Sequence, residues 1–343
     1  MKGNFFLGNG KFEIREMTFG APGPNEVLIR NMACGVCGTD VHIYHGEPGS
    51  ADVTPPVVLG HEYAGIVEAI GRDVTIVKPG DAVAVDPNIY CGTCYQCRKG
   101  HKQLCGNMQA VGVTRDGGFA EYSMVPETQV FRMNPEIGFP AMAMAEPLAC
   151  CIHGIEQVNI QSGDAVTVIG GGAIGLLMVQ LAKLRGAGTV ILSEPVEARR
   201  KIGLEIGADL AIDPLTEDPA GCVASYLGRP GADVVIECVG KTAATKQAFD
   251  VTNRGARILL FSVPSVDAEF PLPLFDVYKK ELKIFGSFVN PDTHEDAVQL
   301  LNSGRIKTAP LITHFFPLEK LEDAILMQMS SESIKVQVVN TPL

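Results

Sequence analysis

Four cysteines within fifteen residues carry the clearest chemistry in the chain. Cys91, Cys94, Cys97 and Cys105 have the spacing of a closed thiolate set, which tetrahedral Zn²⁺ uses when its role is structural. The residues between them (Gly92, Thr93, Gln96, Arg98, Lys99 and Gly100) are polar or turn-forming. They offer no apolar core, so a metal would hold this lobe together. An iron–sulfur cluster draws on the same ligands, and the residues alone leave both open. A second, dispersed group comprises Cys37 in the run Cys34–Asp40, His61 and Glu62 in Gly60-His61-Glu62, and Glu146 in Ala145-Glu146-Pro147. One sulfur, one imidazole and one carboxylate would leave a tetrahedral zinc with a vacant position, the arrangement of a catalytic site. Charge places Glu146 rather than Glu62 in that set. Zinc with Cys37 and Glu146 is neutral and can stabilise an alkoxide. Permanent binding of Glu62 would make the centre anionic and a poorer Lewis acid, so Glu62 is expected beside the metal or as a temporary ligand. Taken singly, each of these residues reads as core or surface, and spacing cannot join positions so far apart.

The third chemical signal is glycine. The stretch from Ala165 to Glu194 reads as an apolar strand, a glycine turn, a helix and a second strand that ends on an acid. Gly170, Gly172 and Gly175 stand in the G-x-G-x-x-G pattern: a tight turn, room for a pyrophosphate, and close helix–strand packing. Ala173 and Ile174 open the helix, whose free N–H groups and positive dipole end attract phosphate. Glu194 lies about 20 residues on, where an acid binds the ribose hydroxyls and repels a 2′-phosphate. NAD is therefore expected rather than NADP, with Arg199 a further cofactor-binding candidate. Arg199 and Arg200 both follow closely and temper the preference.

The surrounding elements must position these groups. A chain of 343 residues has the natural size of two domains. Residues 1–150 look β-rich, with short apolar runs such as Val27–Met32, Gly65–Ala69 and Ala82–Val85 separated by Pro and Gly turns. From 151 to 285 strand candidates (Ala165–Gly170, Thr189–Leu192, Leu210–Ile212, Ala232–Glu237, Ala256–Phe261) alternate with helices at Ala198–Gly207 and Thr242–Asp250. That alternation is the pattern of a doubly wound parallel sheet. The tail, with a helix at His294–Ser303 and a strand at Ile334–Val339, resembles the first part and is expected to complete it.

Composition removes several function classes. A net charge of −11 repels phosphate, so no nucleic-acid partner and no anionic membrane surface is expected. No apolar run reaches membrane-spanning length and the opening residues lack a signal-peptide core. The expected location is cytoplasmic. The ten cysteines then read as metal ligands and reduced thiols rather than disulfides, with Cys34, Cys150, Cys151, Cys222 and Cys238 as core thiols.

With Gly35–Asp40, Gly60-His61-Glu62, the four-cysteine lobe, Glu146-Pro147 and the Gly170–Gly175 turn in this order, the chain resembles the zinc-dependent medium-chain alcohol dehydrogenases over essentially its full length. Glu146-Pro147-Leu148 and the segment Pro310–Glu319 make it most similar to the sorbitol, or polyol, branch. The resemblance implies an α/β protein. A GroES-like β-rich catalytic domain is made from 1–150 and 286–343, and a Rossmann NAD-binding domain from 151–285 is inserted in it. It implies two zinc ions per chain. Cys37, His61 and Glu146 fall on the catalytic-zinc positions, and Glu62 on an acid that some members use as a ligand. It further implies that Thr39 receives the substrate proton, that His42 relays it, and that Asp40 orients the zinc-bound imidazole. The expected reaction is oxidation of a secondary alcohol to a ketone, with hydride passing to NAD. The substrate would be a small alcohol or polyol and the assembly a homo-oligomer, a tetramer before a dimer. Where sorbitol dehydrogenases carry Arg-Tyr after Gly-x-Phe, this chain has Val289-Asn290. The guanidinium fork for hydroxyls is missing, which leaves a differently shaped polyol, a sugar alcohol phosphate or a simpler secondary alcohol. Tyr44, His45, Phe119 and Asn290 are candidates to line the cleft or to serve the core. A threonine-type dehydrogenase, a reductase, and a dinucleotide sensor without catalysis are the alternatives.

Overall fold

The computed structural model describes residues 1–49 and 51–340. The chain divides into two compact units, Met1–Ala149 with Val289–Leu343, and Cys150–Phe288. Gly286–Phe288 thus belong to the inserted unit, because the strand Lys283–Gly286 pairs in its sheet.

The first unit is built on a seven-stranded sheet. Its path runs Val130–Arg132, Ala82–Val85, Glu62–Ile70, Glu26–Gly35, Lys335–Val339 and Ile312–Pro317, with Tyr122–Pro126 paired to Glu26–Gly35 off that path. The strand Glu26–Gly35 is central because it is long and apolar; Val27, Ile29, Ala33 and Cys34 are all buried. Its end carries Gly35 opposite Glu62 on one side and Gln337 on the other. This register decides the site: the Gly60–Glu62 motif and the last strand of the chain flank the segment that leads into Cys37. Tyr63, Phe119, Leu59 and Ile43 fill the core beneath it, each side chain worth about 1.5–3 kcal/mol of burial. Phe119 is fully buried and Asn290 accepts a hydrogen bond from the Asn88 side chain. Both are core residues of this unit.

The second unit is a six-stranded, all-parallel sheet. Its spatial order is Leu210–Ile212, Thr189–Ser193, Ala165–Ile169, Ala232–Glu237, Thr252–Leu260 and Lys283–Gly286. In sequence terms this is 3-2-1-4-5-6, the dinucleotide-binding order, which reverses beside the first strand. Ala165–Ile169 is buried at every residue, as a strand covered on both faces must be. Local chemistry ends the helices where expected. Asp218 accepts from the N–H groups of Ala220 and Gly221 to start Pro219–Leu227, and Gly228 stops it in the left-handed conformation. Three supposed core thiols need correction: Cys150, Cys222 and Cys238 are only partly buried, whereas Cys34 and Cys151 are buried. Cys222 sits on the helix Pro219–Leu227 near the Glu217 carboxylate, where the chain is close to solvent.

Candidate functional site

The helix Gly38–Tyr44 begins just after the central strand, with Cys37 as its N-cap. Asp40 Oδ2 accepts the Cys37 N–H at 2.8 Å, which satisfies one orphan donor of the helix start and fixes the thiol-bearing residue. Across from it, the Gly60 backbone at φ +94° turns the chain so that His61 and Glu62 enter the same pocket of the unit. Ligand atoms of Cys37, His61 and Glu62 all lie within 4.8 Å of one another. Glu146, on the first turn of the helix Ala145–Gln157, is buried and close enough to act on His61 electrostatically.

The electrostatics call for a cation. Burial works against the His61 imidazolium, yet the charges of Asp40, Cys37 and Glu146 outweigh it and push His61 well above its ordinary range. The field that favours a proton there also favours a metal ion. Asp40 is completely buried; burial raises its carboxyl despite the pull of His61. Its Oδ1 faces His61 Nδ1 at 3.7 Å, and both atoms lack a hydrogen-bond partner. A metal-ligating histidine characteristically turns its other nitrogen to such a carboxylate. The donors therefore fit a divalent metal of zinc type: sulfur, imidazole and carboxylate, with an acid behind the ring. Cys34 is a different case. Burial, then the charges of Asp40 and Glu62, drive its thiol well above its usual value, so it remains a packed thiol.

Thr39 and His42 are one turn apart on the helix Gly38–Tyr44, a spacing that puts them on one face. His42 Nδ1 pairs with the Glu47 carboxylate. Sequence reasoning missed Glu47, although an acid five residues after a relay candidate was a readable signal. Tyr44 donates its hydroxyl to Glu322 and His45 closes the helix as its C-cap.

Lys335 was missed altogether. Lys335 and Gln337 alternate with Val336 and Val338 along a strand that is buried almost throughout. A lysine at an inward strand position is itself the signal, since lysine is almost never fully buried unpaired. Its Nζ donates to Glu62 Oε2 and, at 3.0 Å, to the Val36 carbonyl. Burial disfavours its charge, but Glu62 and Cys37 prevail and raise its pKa.

Sulfur atoms of Cys91, Cys94, Cys97 and Cys105 likewise gather within 4.8 Å. Backbone N–H groups point at them: Cys94 to the Cys91 sulfur at 3.3 Å, and Cys91 and Asn107 to the Cys105 sulfur at 3.4 Å each. Donors from Thr93 and Cys94 pull the Cys91 thiol down to about 5, as a thiolate ligand requires. The closed all-sulfur set fits a structural zinc.

In the second unit, the glycine turn lies at the carboxyl end of the first sheet strand. Gly170 has φ +97°, and a Cβ on Gly175 would overlap the Gly170 carbonyl. A Cβ on Gly172 would meet nothing within 4 Å, so the face of the turn is open where a pyrophosphate would rest. Ala173 and Ile174 are half-buried there, and the first N–H groups of their helix have no intrahelical partner. Glu194 is buried just beyond the strand Thr189–Ser193; its carboxylate accepts from Gly171 N at 2.5 Å and Val196 N at 2.8 Å. Arg199 approaches the same carboxylate at 4.0 Å, while Arg200 donates to the Glu194 and Pro195 carbonyls. The turn, the acid and the switch point of the sheet fit a dinucleotide.

A Rossmann sheet with this turn, in one chain with a β-rich unit holding two metal-ligand clusters, defines a metal-dependent nicotinamide oxidoreductase. Residues 23–135 match the alcohol dehydrogenase GroES-like domain and residues 173–303 the zinc-binding dehydrogenase domain. The chain belongs to the zinc-dependent medium-chain alcohol dehydrogenase family. It is 36% identical to an L-threonine 3-dehydrogenase of Symbiobacterium thermophilum over 95% of this chain and 93% of that one. It is 33% identical to a sorbitol dehydrogenase of Bacillus subtilis, over 95% and 94%. A zinc-binding dehydrogenase from Sinorhizobium meliloti 1021, solved bound to NADP, superposes with a TM-score of 0.93 at 38% identity, covering 98% of each chain.

Proposed function

We propose that the protein oxidises a secondary alcohol of a polyol or sugar alcohol to the ketone, using NAD and zinc. The observation that carries this is the cluster of half-buried Cys37 with buried His61 and Glu62, with Asp40 behind the imidazole. When bound, zinc supplies a Lewis acid that acidifies the alcohol and NAD supplies the hydride acceptor. Cys37, His61 and Glu146 hold the zinc, with Glu62 adjacent. Thr39 takes the substrate proton at its hydroxyl oxygen and His42, held by Glu47, passes it on. Gly170, Gly172, Ala173, Ile174 and Gly175 seat the pyrophosphate, while Glu194 and Arg199 border the ribose. The four cysteines at 91–105 hold a second, structural zinc. Met1–Ala149 with Val289–Leu343 acts as the catalytic domain and Cys150–Phe288 as the NAD domain.

The polyol reading is supported by the likeness to sorbitol dehydrogenase. A threonine-type reading has its own support in a higher identity, 36%, to a threonine dehydrogenase and in Val289-Asn290 standing where the polyol branch has Arg-Tyr. A panel of L-threonine, C4–C6 polyols, sugar alcohol phosphates and simple secondary alcohols, followed by absorbance of the reduced cofactor, separates the two. We expect the highest kcat/KM on a polyol; preference for L-threonine would replace this reading.

Glu194 sets the cofactor. Glu194→Ala is expected to raise KM for NAD about tenfold or more, given the strength of hydrogen bonds to a carboxylate, and to narrow the NAD/NADP discrimination. Initial rates with both cofactors test this, and an unaltered enzyme that prefers NADP would remove the role given to Glu194.

The assembly is a homo-oligomer, a tetramer before a dimer. Leu274, Phe275 and Tyr278 are exposed on the helix Leu274–Lys280, in the same unit as the edge strand Lys283–Gly286, and such edges invite pairing. A cytoplasmic location is supported by ten cysteines that are all free thiols. Among the described residues no helix is long and apolar enough to cross a membrane.

A further inference from the structure

We propose that Glu47 is a positioning residue that keeps the proton of the neutral His42 ring on Nδ1, so that Nε2 is the atom that takes the substrate proton. The inference rests on the reading that Thr39 and His42 form the relay.

The way the helix Gly38–Tyr44 stops puts the acid there. His45 is its C-cap, and Gly46 follows at φ +83°, a left-handed turn that glycine takes at little cost. The Gly46 N–H donates to the Ile43 carbonyl at 3.0 Å, and the Glu47 N–H to the His42 carbonyl at 2.9 Å. These are the two bonds of a Schellman ending, which brings the second residue past the cap back over the third residue from the helix end. An apolar contact commonly fills that place. Here an acid meets an imidazole, and the Glu47 carboxylate faces His42 Nδ1. The chain then returns past the other relay residue. A Cβ on Gly49 would stand 3.0 Å from both Thr39 Cγ2 and Ile43 Cδ1. The Thr39 methyl is thus packed against the loop, and its hydroxyl is left to another staggered direction.

A carboxylate can only accept, so the ring nitrogen it faces carries a hydrogen. In the neutral ring the other nitrogen, Nε2, then holds the lone pair. When the Thr39 hydroxyl gives up its proton, an N–H bond forms at Nε2 and the ring becomes a cation beside the Glu47 carboxylate. The Nδ1–H bond stays where it was. The His42 side chain is 25% exposed, so the Nε2 proton can leave to water and the same tautomer returns. If Glu47 merely closed the helix, its removal would cost the same with or without His42.

Nitrogen-15 NMR of the full-length protein labelled at histidine reads the tautomer directly. The His42 signals are those that His42→Ala removes from the set of seven histidines. With the ring neutral, Nδ1–H is expected in the wild type and mainly Nε2–H in Glu47→Ala. Turnover gives the second arm. Glu47→Ala is expected to lower kcat about tenfold with KM within about twofold, a modest share of what a positioned acid–base group contributes, because the pair is partly exposed. Glu47→Asp is expected to recover most of that loss. In the His42→Ala background, Glu47→Ala is expected to cost less than about twofold. An Nε2–H tautomer in the wild type, or an equal loss with and without His42, overturns the proposal. A kcat unchanged by His42→Ala overturns the relay reading itself, and with it the role of Glu47, whichever tautomer is found.

Discussion

Cys37→Ser and His61→Ala are each expected to lower kcat/KM by about a thousandfold or more, while the affinity for reduced cofactor changes little. The size follows from what is removed. A Lewis acid contributes several kcal/mol of charge stabilisation, and each 1.36 kcal/mol is a factor of ten in rate. Cys37 is the only sulfur in this cluster, and serine offers a hydroxyl that does not ionise at neutral pH. His61 carries the link to Asp40, at 3.7 Å, so alanine there removes a ligand and strands a buried carboxylate. The glycine turn and Glu194 lie in the other unit of the chain, and their hydrogen bonds do not involve either residue. Cofactor binding measured by fluorescence titration should therefore survive, and metal analysis should show one ion lost. Turnover within tenfold of the parent protein in either variant would remove the catalytic metal from these residues.

Cys97→Ser should damage stability rather than chemistry. The segment Cys91–Cys105 contains only a four-residue helix and a three-residue 3₁₀ turn, and most of it is exposed or half-buried. Secondary structure that short does not stand alone in water, and the four sulfurs are what gathers it. Structural zinc binding is worth about 10–16 kcal/mol in small zinc peptides. Only part of that reaches the global transition, since a lobe can unfold locally. A fall in Tm of about 5–10 °C is expected for a loss of about 3 kcal/mol, together with protease cleavage between 91 and 105. The kcat of the metal-loaded remainder should stay within about twofold. Retention of the metal with an unchanged Tm would show that the sulfurs do not form a metal centre.

Two parts of the chemistry were legible in the chain itself because they are local. The four cysteines span one short loop, and the glycine turn with its flanking strand and helix forms a single βαβ unit. Spacing along the sequence is then nearly distance in space, and the α/β character followed from the same local alternation. The dispersed metal set was different. Cys37, His61 and Glu146 could be joined only through resemblance to a family, because no periodicity connects positions on separate elements. Charge reasoning placed Glu146 on the metal and Glu62 beside it; in the fold the Glu62 carboxylate lies within 4.8 Å of the Cys37 and His61 ligand atoms, and the buried Glu146 raises the His61 pKa.

Tertiary structure alone decided the pairing of Glu62 with Lys335, 273 positions apart along the chain. It arises because the last strand pairs with the central strand beside Gly35. Residue types determine which groups can ionise, ligate or cap, and those are properties of single side chains and short spacings. Which charges face each other in a buried space depends on strand order and register, and these minimise a free energy summed over the whole core. Composition and motif therefore specified the chemistry available to this protein, and the register of one sheet determined which carboxylate stands beside which cation.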